Sequence, residues 1–256
     1  MAFLHRHRWL VPYLLLGPGL AFLVLFFIVP TYYLANTSLQ SGSLDVGYAF
    51  TWAWSNYSEG FSTYHSQFVR SLEYAGVATI AALLISYPLT YWIAFRGGRW
   101  KNLLLLLIIA PFFVTYLIRT LAWQTILADQ GPVVGFLRDV HLLGQGDRLL
   151  ATSFAVVAGI TYNFLPFMAL PLSLPGVFAG TLLTFIPAAG DFINAELLGT
   201  PRQQMIGNVI QSRFREIADY PQAAALSFIL MAAILVAILA YTRVVGAERA
   251  TAGAAL

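Results

Sequence analysis

Six stretches of the chain shed almost all their charged residues and stay apolar for twenty or more positions: about 10–34, 70–95, 102–127, 150–170, 174–196 and 222–245. A helix rises 1.5 Å per residue, so about 20 apolar residues cross the roughly 30 Å hydrocarbon core of a bilayer. The pattern predicts an all-α fold, a polytopic membrane helix bundle of six transmembrane helices forming one domain over 1–256. The longest uncharged run, Leu149 to Gly190, holds no Asp, Glu, Lys or Arg. It has room for two spans, and Pro166, Pro171 and Pro175 punctuate its middle. The expectation is two helices joined by a tight turn around Leu170 to Gly176.

Polar residues gather between the spans. Ser38 to Gln67 is rich in Ser, Gly, Trp and Tyr, Ala128 to Arg148 carries Asp129, Asp139 and Asp147, and Gly199 to Pro221 holds Arg202, Arg213, Arg215, Glu216 and Asp219. Within the last segment Met205, Val209 and Ile210 fall near helical spacing, which predicts a short interfacial helix between Gln204 and Glu216.

Composition agrees with the pattern: 59% of residues are hydrophobic and 10% charged, against about 25% charged in soluble domains. Arg6 and Arg8, then Arg96, Arg99 and Lys101, then Arg243 and Arg249 share one side of a six-span chain. By the positive-inside rule that side is cytoplasmic and both termini lie there, with Arg202 to Arg215 the exception. His5-Arg6-His7-Arg8 precedes an apolar run longer than a signal-peptide core, so it reads as the flank of an uncleaved first span. The net charge of +3 is dispersed, which serves loop orientation and contact with membrane lipid and predicts no nucleic-acid partner. Cysteine is absent, which removes disulfides and thiolate chemistry.

Nothing in the pattern resembles a catalytic constellation. His5, His7, His65 and His141 are scattered, so no metal site is expected. No GxxxxGK[ST] loop is present, so the chain is not expected to hydrolyse a nucleotide by that route or to carry a cofactor. Charges near membrane depth are the exceptions, because burying them costs several kcal/mol unless they are paired or hydrated. Asp191 and Glu196 at the end of the fifth span would attract a cation, with Tyr116, Trp123, Tyr162 and Phe192 as cation–π surfaces along a substrate path. The alternative is that these acids, Glu73 and Arg119 snorkel to headgroups or pair with one another. Pro88, Pro111 and Pro187 interrupt apolar runs and, with Arg119, stand as gating or packing positions.

Taken in order, several motifs resemble the permease subunits of binding-protein-dependent ABC importers, nearest to the spermidine/putrescine branch. They are Leu16-Gly17-Pro18-Gly19-Leu20, Arg70-Ser71-Leu72 through Thr79, Tyr87-Pro88-Leu89, and Pro111-Phe112-Phe113 with Tyr116 to Thr120 and Ala122-Trp123. Tyr162 to Met168, Leu174-Pro175-Gly176 with Ala179-Gly180, Asp191 to Gly199 and Met205 to Asn208 complete the set. The resemblance implies polyamine import (spermidine, putrescine or a similar organic cation) across a bacterial inner membrane. It also implies a second permease subunit, two cytoplasmic ATPase subunits and a periplasmic substrate-binding protein. Arg96, Arg99 and Lys101 would then touch the ATPase.

One departure stands out. Family members carry a cytoplasmic EAA loop, a short helix that docks into the ATPase, between the fourth and fifth spans. Here about thirty residues are absent near 172–173, and one Leu-Pro-Leu copy, Leu170-Pro171-Leu172, remains where the family has two. Two other readings of the residues stay open: an ATP-independent transporter, and a non-transporting scaffold or decayed permease.

Overall fold

The computed structural model describes residues 10–144, 146–169 and 174–253. The basic N-terminal residues Arg6 and Arg8, and positions 170–173, where the sequence predicts a tight turn in place of the family's EAA loop, lie outside the described residues.

The described residues open with α1 (Leu10–Leu23), which runs through a π-helical turn (Val24–Ile28) into α2 (Val29–Ser38). Over Leu16–Ser38 this unit is apolar and has almost no side chain buried by the rest of the chain. The polar stretch that follows folds into a hairpin, β1 (Gln40–Ser43) against β2 (Gly47–Phe50). Asn56 secures it by donating from Nδ2 to the Ser38 and Gln40 carbonyls, both at 2.9 Å.

Helix α3 (Ser55–Arg96) is far longer than the predicted 70–95 span. Ser55 to Gln67 reads as a polar connection, yet it continues the helix, with a local break at Tyr64 (φ −113°, ψ 16°). Pro88 sits within α3 without ending it. A polar loop then turns into α4 (Lys101–Ile109), a tight 3-10 turn (Ala110–Phe113) begun by Ala110-Pro111, and α5 (Tyr116–Leu127). Val114 and Thr115 are extended, and the segments on either side meet at 99°. The predicted 102–127 helix is therefore bent sharply rather than straight. Proline lacks the N–H needed to continue the ladder, and the extended pair behind Pro111 redirects the chain.

A short α6 (Pro132–Asp139) follows, and then α7 (Ser153–Ala169) and α8 (Leu174–Ala189), the two helices expected from the uncharged run. At 17 and 16 residues they reach only about 25 Å each. The expected fifth span stops at Ala189; the chain bends and re-enters helix as α9 (Ile193–Leu198). Helix α10 (Ile206–Arg215) forms between Gln204 and Glu216, and α11 (Tyr220–Gly253) closes the chain. Among the described residues three helices are long and apolar enough to cross a membrane, and the bent pair over 98–113 and 116–139 is a fourth candidate.

The core lies where α3, α7 and α8 pack, through Ala75, Ala78, Val156, Ile160, Ala188 and Ala189, all fully buried. Small residues let helix backbones approach closely where lipid supplies no hydrophobic drive. The other polar connections, apart from the loop before α4, meet at one end of the bundle. There the Tyr48 hydroxyl donates to the Ala218 carbonyl, the Ala151 N–H donates to the Leu198 carbonyl at 2.9 Å, and Arg70 donates to the Gln204 carbonyl at 2.8 Å.

Candidate functional site

Below that polar end, four segments press their few polar side chains into one buried network. α5 contributes Tyr116, Arg119 and Thr120, α7 contributes Asn163, the α8–α9 connection contributes Asp191, and α9 contributes Asn194. The Tyr116 hydroxyl donates to Asp191 Oδ2, and Asn194 Nδ2 donates to the same oxygen at 2.6 Å. Asp191 Oδ1 accepts the backbone N–H groups of Ile193 and Asn194 at 2.9 and 3.1 Å, which caps the start of α9. Asn194 also donates to the Tyr116 hydroxyl at 2.5 Å, and its Oδ1 accepts from Thr120 and Asn163, each at 3.3 Å.

Sequence explains why the helices come so near. Gly159 on α7 faces α9, and a Cβ there would stand 2.4 Å from Leu198 Cδ1 and 2.5 Å from Asn194 Oδ1. Gly207, at the start of α10, lets the chain pass Gly190, whose carbonyl oxygen would lie 2.5 Å from an added Cβ. The Asn208 side chain then donates to the Phe192 carbonyl at 2.8 Å. Asp191 is 7% exposed and Asn194 fully buried, so this carboxylate is enclosed and fully hydrogen-bonded.

Arg119 is also 7% exposed. Its guanidinium lies over the Phe112 and Tyr116 rings, 5.4 and 5.6 Å from their centroids, and NH1 reaches the Asn163 carbonyl at 3.4 Å. Its Nε and the Asn163 Oδ1 are buried with no hydrogen-bond partner. Beside it a groove of about 300 Å³ opens at the α4–α5 elbow, walled by Pro111, Val114, Ile118, Trp123 and Tyr162. Trp123 and Tyr162 meet edge to face, 5.4 Å between centroids.

Over 257 aligned residues the chain is 30% identical to the spermidine/putrescine transport system permease protein PotB of Haemophilus influenzae, with 87% of this chain and 90% of the relative covered. The chain belongs to the spermidine/putrescine-type ABC permease family. PotB of Escherichia coli K12 is 29% identical over 255 residues, covering 86% of this permease and 93% of the relative. The inner membrane ABC transporter permease protein YdcU of the same strain is 27% identical over 225 residues, covering 70% and 71%. No family model matches the permease.

The structure distributes the sequence-selected residues over distinct surroundings. Tyr116, Arg119 and Asp191 join in the network, and Trp123 and Tyr162 line the adjoining groove. Glu196 stands exposed on α9, five residues from Asp191, and Phe192 is half-buried between them. Pro111 lines the groove, whereas Pro88 and Pro187 are exposed on α3 and α8. Arg96, Arg99 and Lys101 are exposed together around the loop after α3.

Sequence reasoning missed Thr120, Asn163 and Asn194. Each is an uncharged polar residue in an apolar run, and only the three-dimensional convergence marks them. It also missed a brace at the polar end: Arg213 binds Asp219 at 3.0 Å and donates to the Tyr64 hydroxyl at 2.6 Å. Partial burial pulls the Arg213 pKa down, but the Tyr64 hydroxyl and the Asp219 carboxylate together hold it above its ordinary value.

Proposed function

We propose that this chain is the transmembrane permease subunit of an ABC importer for spermidine, putrescine or a similar organic cation. The observation that carries the proposal is the likeness to PotB permeases over nearly the whole of both chains. A second permease subunit would complete the pathway, two cytoplasmic ATPase subunits would drive it, and a periplasmic binding protein would deliver the solute. The basic loop at Arg96 to Lys101 would face the ATPase, with both termini cytoplasmic in the inner membrane.

For the cation, Asp191 and Glu196 are the acids proposed along the path. Glu196 is exposed and would be met first. Asp191 is sealed behind Tyr116 and would be reached only when α5 and α9 separate. The aromatic pair Trp123 and Tyr162 sits beside Arg119, whose charge opposes a cation.

Coupling is proposed to be weak. The alignment over 257 residues of one PotB takes in 87% of a 256-residue chain, so some thirty positions of the relative stand opposite gaps. A loss of that size fits the missing EAA loop near 172–173. Transmission from ATPase to gate needs an element that both can bias.

The experiment is reconstitution with the three partner types in proteoliposomes, reading labelled spermidine uptake and binding-protein-stimulated ATP hydrolysis. Uptake is expected to be poor, and to recover when an EAA-type loop is inserted between Leu172 and Ser173. Full coupled turnover without the insertion would overturn the coupling reading. A repaired chain that assembles with its partners yet moves no polyamine would overturn the transport reading.

A further inference from the structure

The α4–α5 elbow presents a buried cation whose counter-ion the described residues do not supply. Among the described residues no carboxylate lies within 4 Å of Arg119, its Nε is unpartnered, and its 3.4 Å contact to the Asn163 carbonyl lies beyond the usual hydrogen-bond range. Asp191, the acid nearest in the network, already accepts four hydrogen bonds and is screened by the Tyr116 side chain. Arg119 also sits in the first turn of α5, whose N-cap residue Thr115 makes no side-chain hydrogen bond. The positive end of the helix dipole therefore adds to the guanidinium charge.

Around this spot the surface is apolar. Val114, Leu117, Ile118 and Leu121 are each about half exposed, and Phe113 is 83% exposed. An apolar wall around an uncompensated guanidinium favours an anionic group delivered on an apolar segment. It repels the cationic solute of the proposed pathway. Bulk water is excluded as the main solvent of Arg119, which is only 7% exposed.

We propose that this groove is a docking site for the second permease subunit, which inserts a carboxylate side chain from a membrane helix to pair with Arg119. Charge complementarity carries the choice of occupant, and the inference rests on the importer reading above. Phe113, Leu117 and Ile118 then form the apolar rim of the subunit interface, with Arg119 as its buried anchor. Arginine suits this role because its planar fork meets a carboxylate with two parallel hydrogen bonds.

The test uses the complete importer, with a photo-crosslinking residue placed at Ile118 or Ile126 and, as control, at the exposed Leu235 of α11. Adducts to the partner permease are expected from Ile118 and Ile126 and not from Leu235. Arg119→Gln should lower recovery of the partner permease by at least about tenfold on co-purification, and Arg119→Lys by less. Far-UV circular dichroism and monodispersity in detergent establish that each variant is folded. Adducts confined to phospholipid would overturn the proposal, as would labelling of Ile118→Cys by a water-soluble maleimide in the assembled importer. The chain has no native cysteine, so that label reports one site. If the unmodified chain recovers no second permease, the importer reading fails first. If it does recover one while adducts map elsewhere, only the docking site fails.

Discussion

Replacing Tyr116 by Phe and Asp191 by Asn, singly and together, isolates the bond that ties α5 to the α8–α9 connection. Tyr116→Phe removes the hydroxyl that donates to Asp191 and accepts from Asn194 at 2.5 Å. Asp191→Asn retains an oxygen for the two α9 N–H groups, but sets an amide against the Asn194 side chain. Hydrogen bonds to charged groups contribute about 1.5–3 kcal/mol in soluble proteins. Bonds between membrane helices average about 0.6 kcal/mol and reach about 1.7. An acceptor that takes four hydrogen bonds in a site only 7% exposed belongs at the top of the membrane range. The expected coupling energy is therefore about 1.5 kcal/mol, close to tenfold in the unfolding equilibrium. Reversible unfolding of the four proteins in mixed micelles, followed by circular dichroism, measures it. Additivity of the two changes within about 0.5 kcal/mol would refute the argument that this bond ties α5 to the α8–α9 connection.

Gly159→Ala should destabilise the chain by about 1–3 kcal/mol, because its Cβ would overlap Leu198 and Asn194; melting in detergent checks it, and Leu198→Ala in the same chain should return part of the loss. Ala218 holds φ +56°, a left-handed conformation that costs a non-glycine residue about 1 kcal/mol, so Ala218→Gly should raise stability by up to about that amount. The same melting experiment reads it.

Much of the architecture was legible because hydropathy is a one-dimensional signal. The apolar runs located α1–α2, most of α3, α7, α8 and α11, and the spacing of Met205, Val209 and Ile210 located α10. Hydropathy carries no information about direction, so Pro111 marks an interruption in the 102–127 run without revealing the sharp turn at Val114 and Thr115. The extension of α3 back to Ser55 was missed for the opposite reason: Ser55 to Gln67 is polar and sits at the hairpin end, where a helix needs no apolar face all round. Charge pointed to Asp191 and Arg119 singly. Their neighbours Thr120, Asn163 and Asn194 stand 43 or more residues from at least one bonded partner, and nothing local in the chain relates them.

Helix α3 has a mechanical consequence. Beyond the break at Tyr64 it continues unbroken to Arg96, about 48 Å of continuous backbone at 1.5 Å per residue. One end abuts α10 and the Arg213 brace, and the other carries the basic loop. A strut of that length tilting by about five degrees carries its far end through about 4 Å, the scale on which gates open. The chain thus keeps a stiff beam from one pole to the other, independent of any loop between α7 and α8.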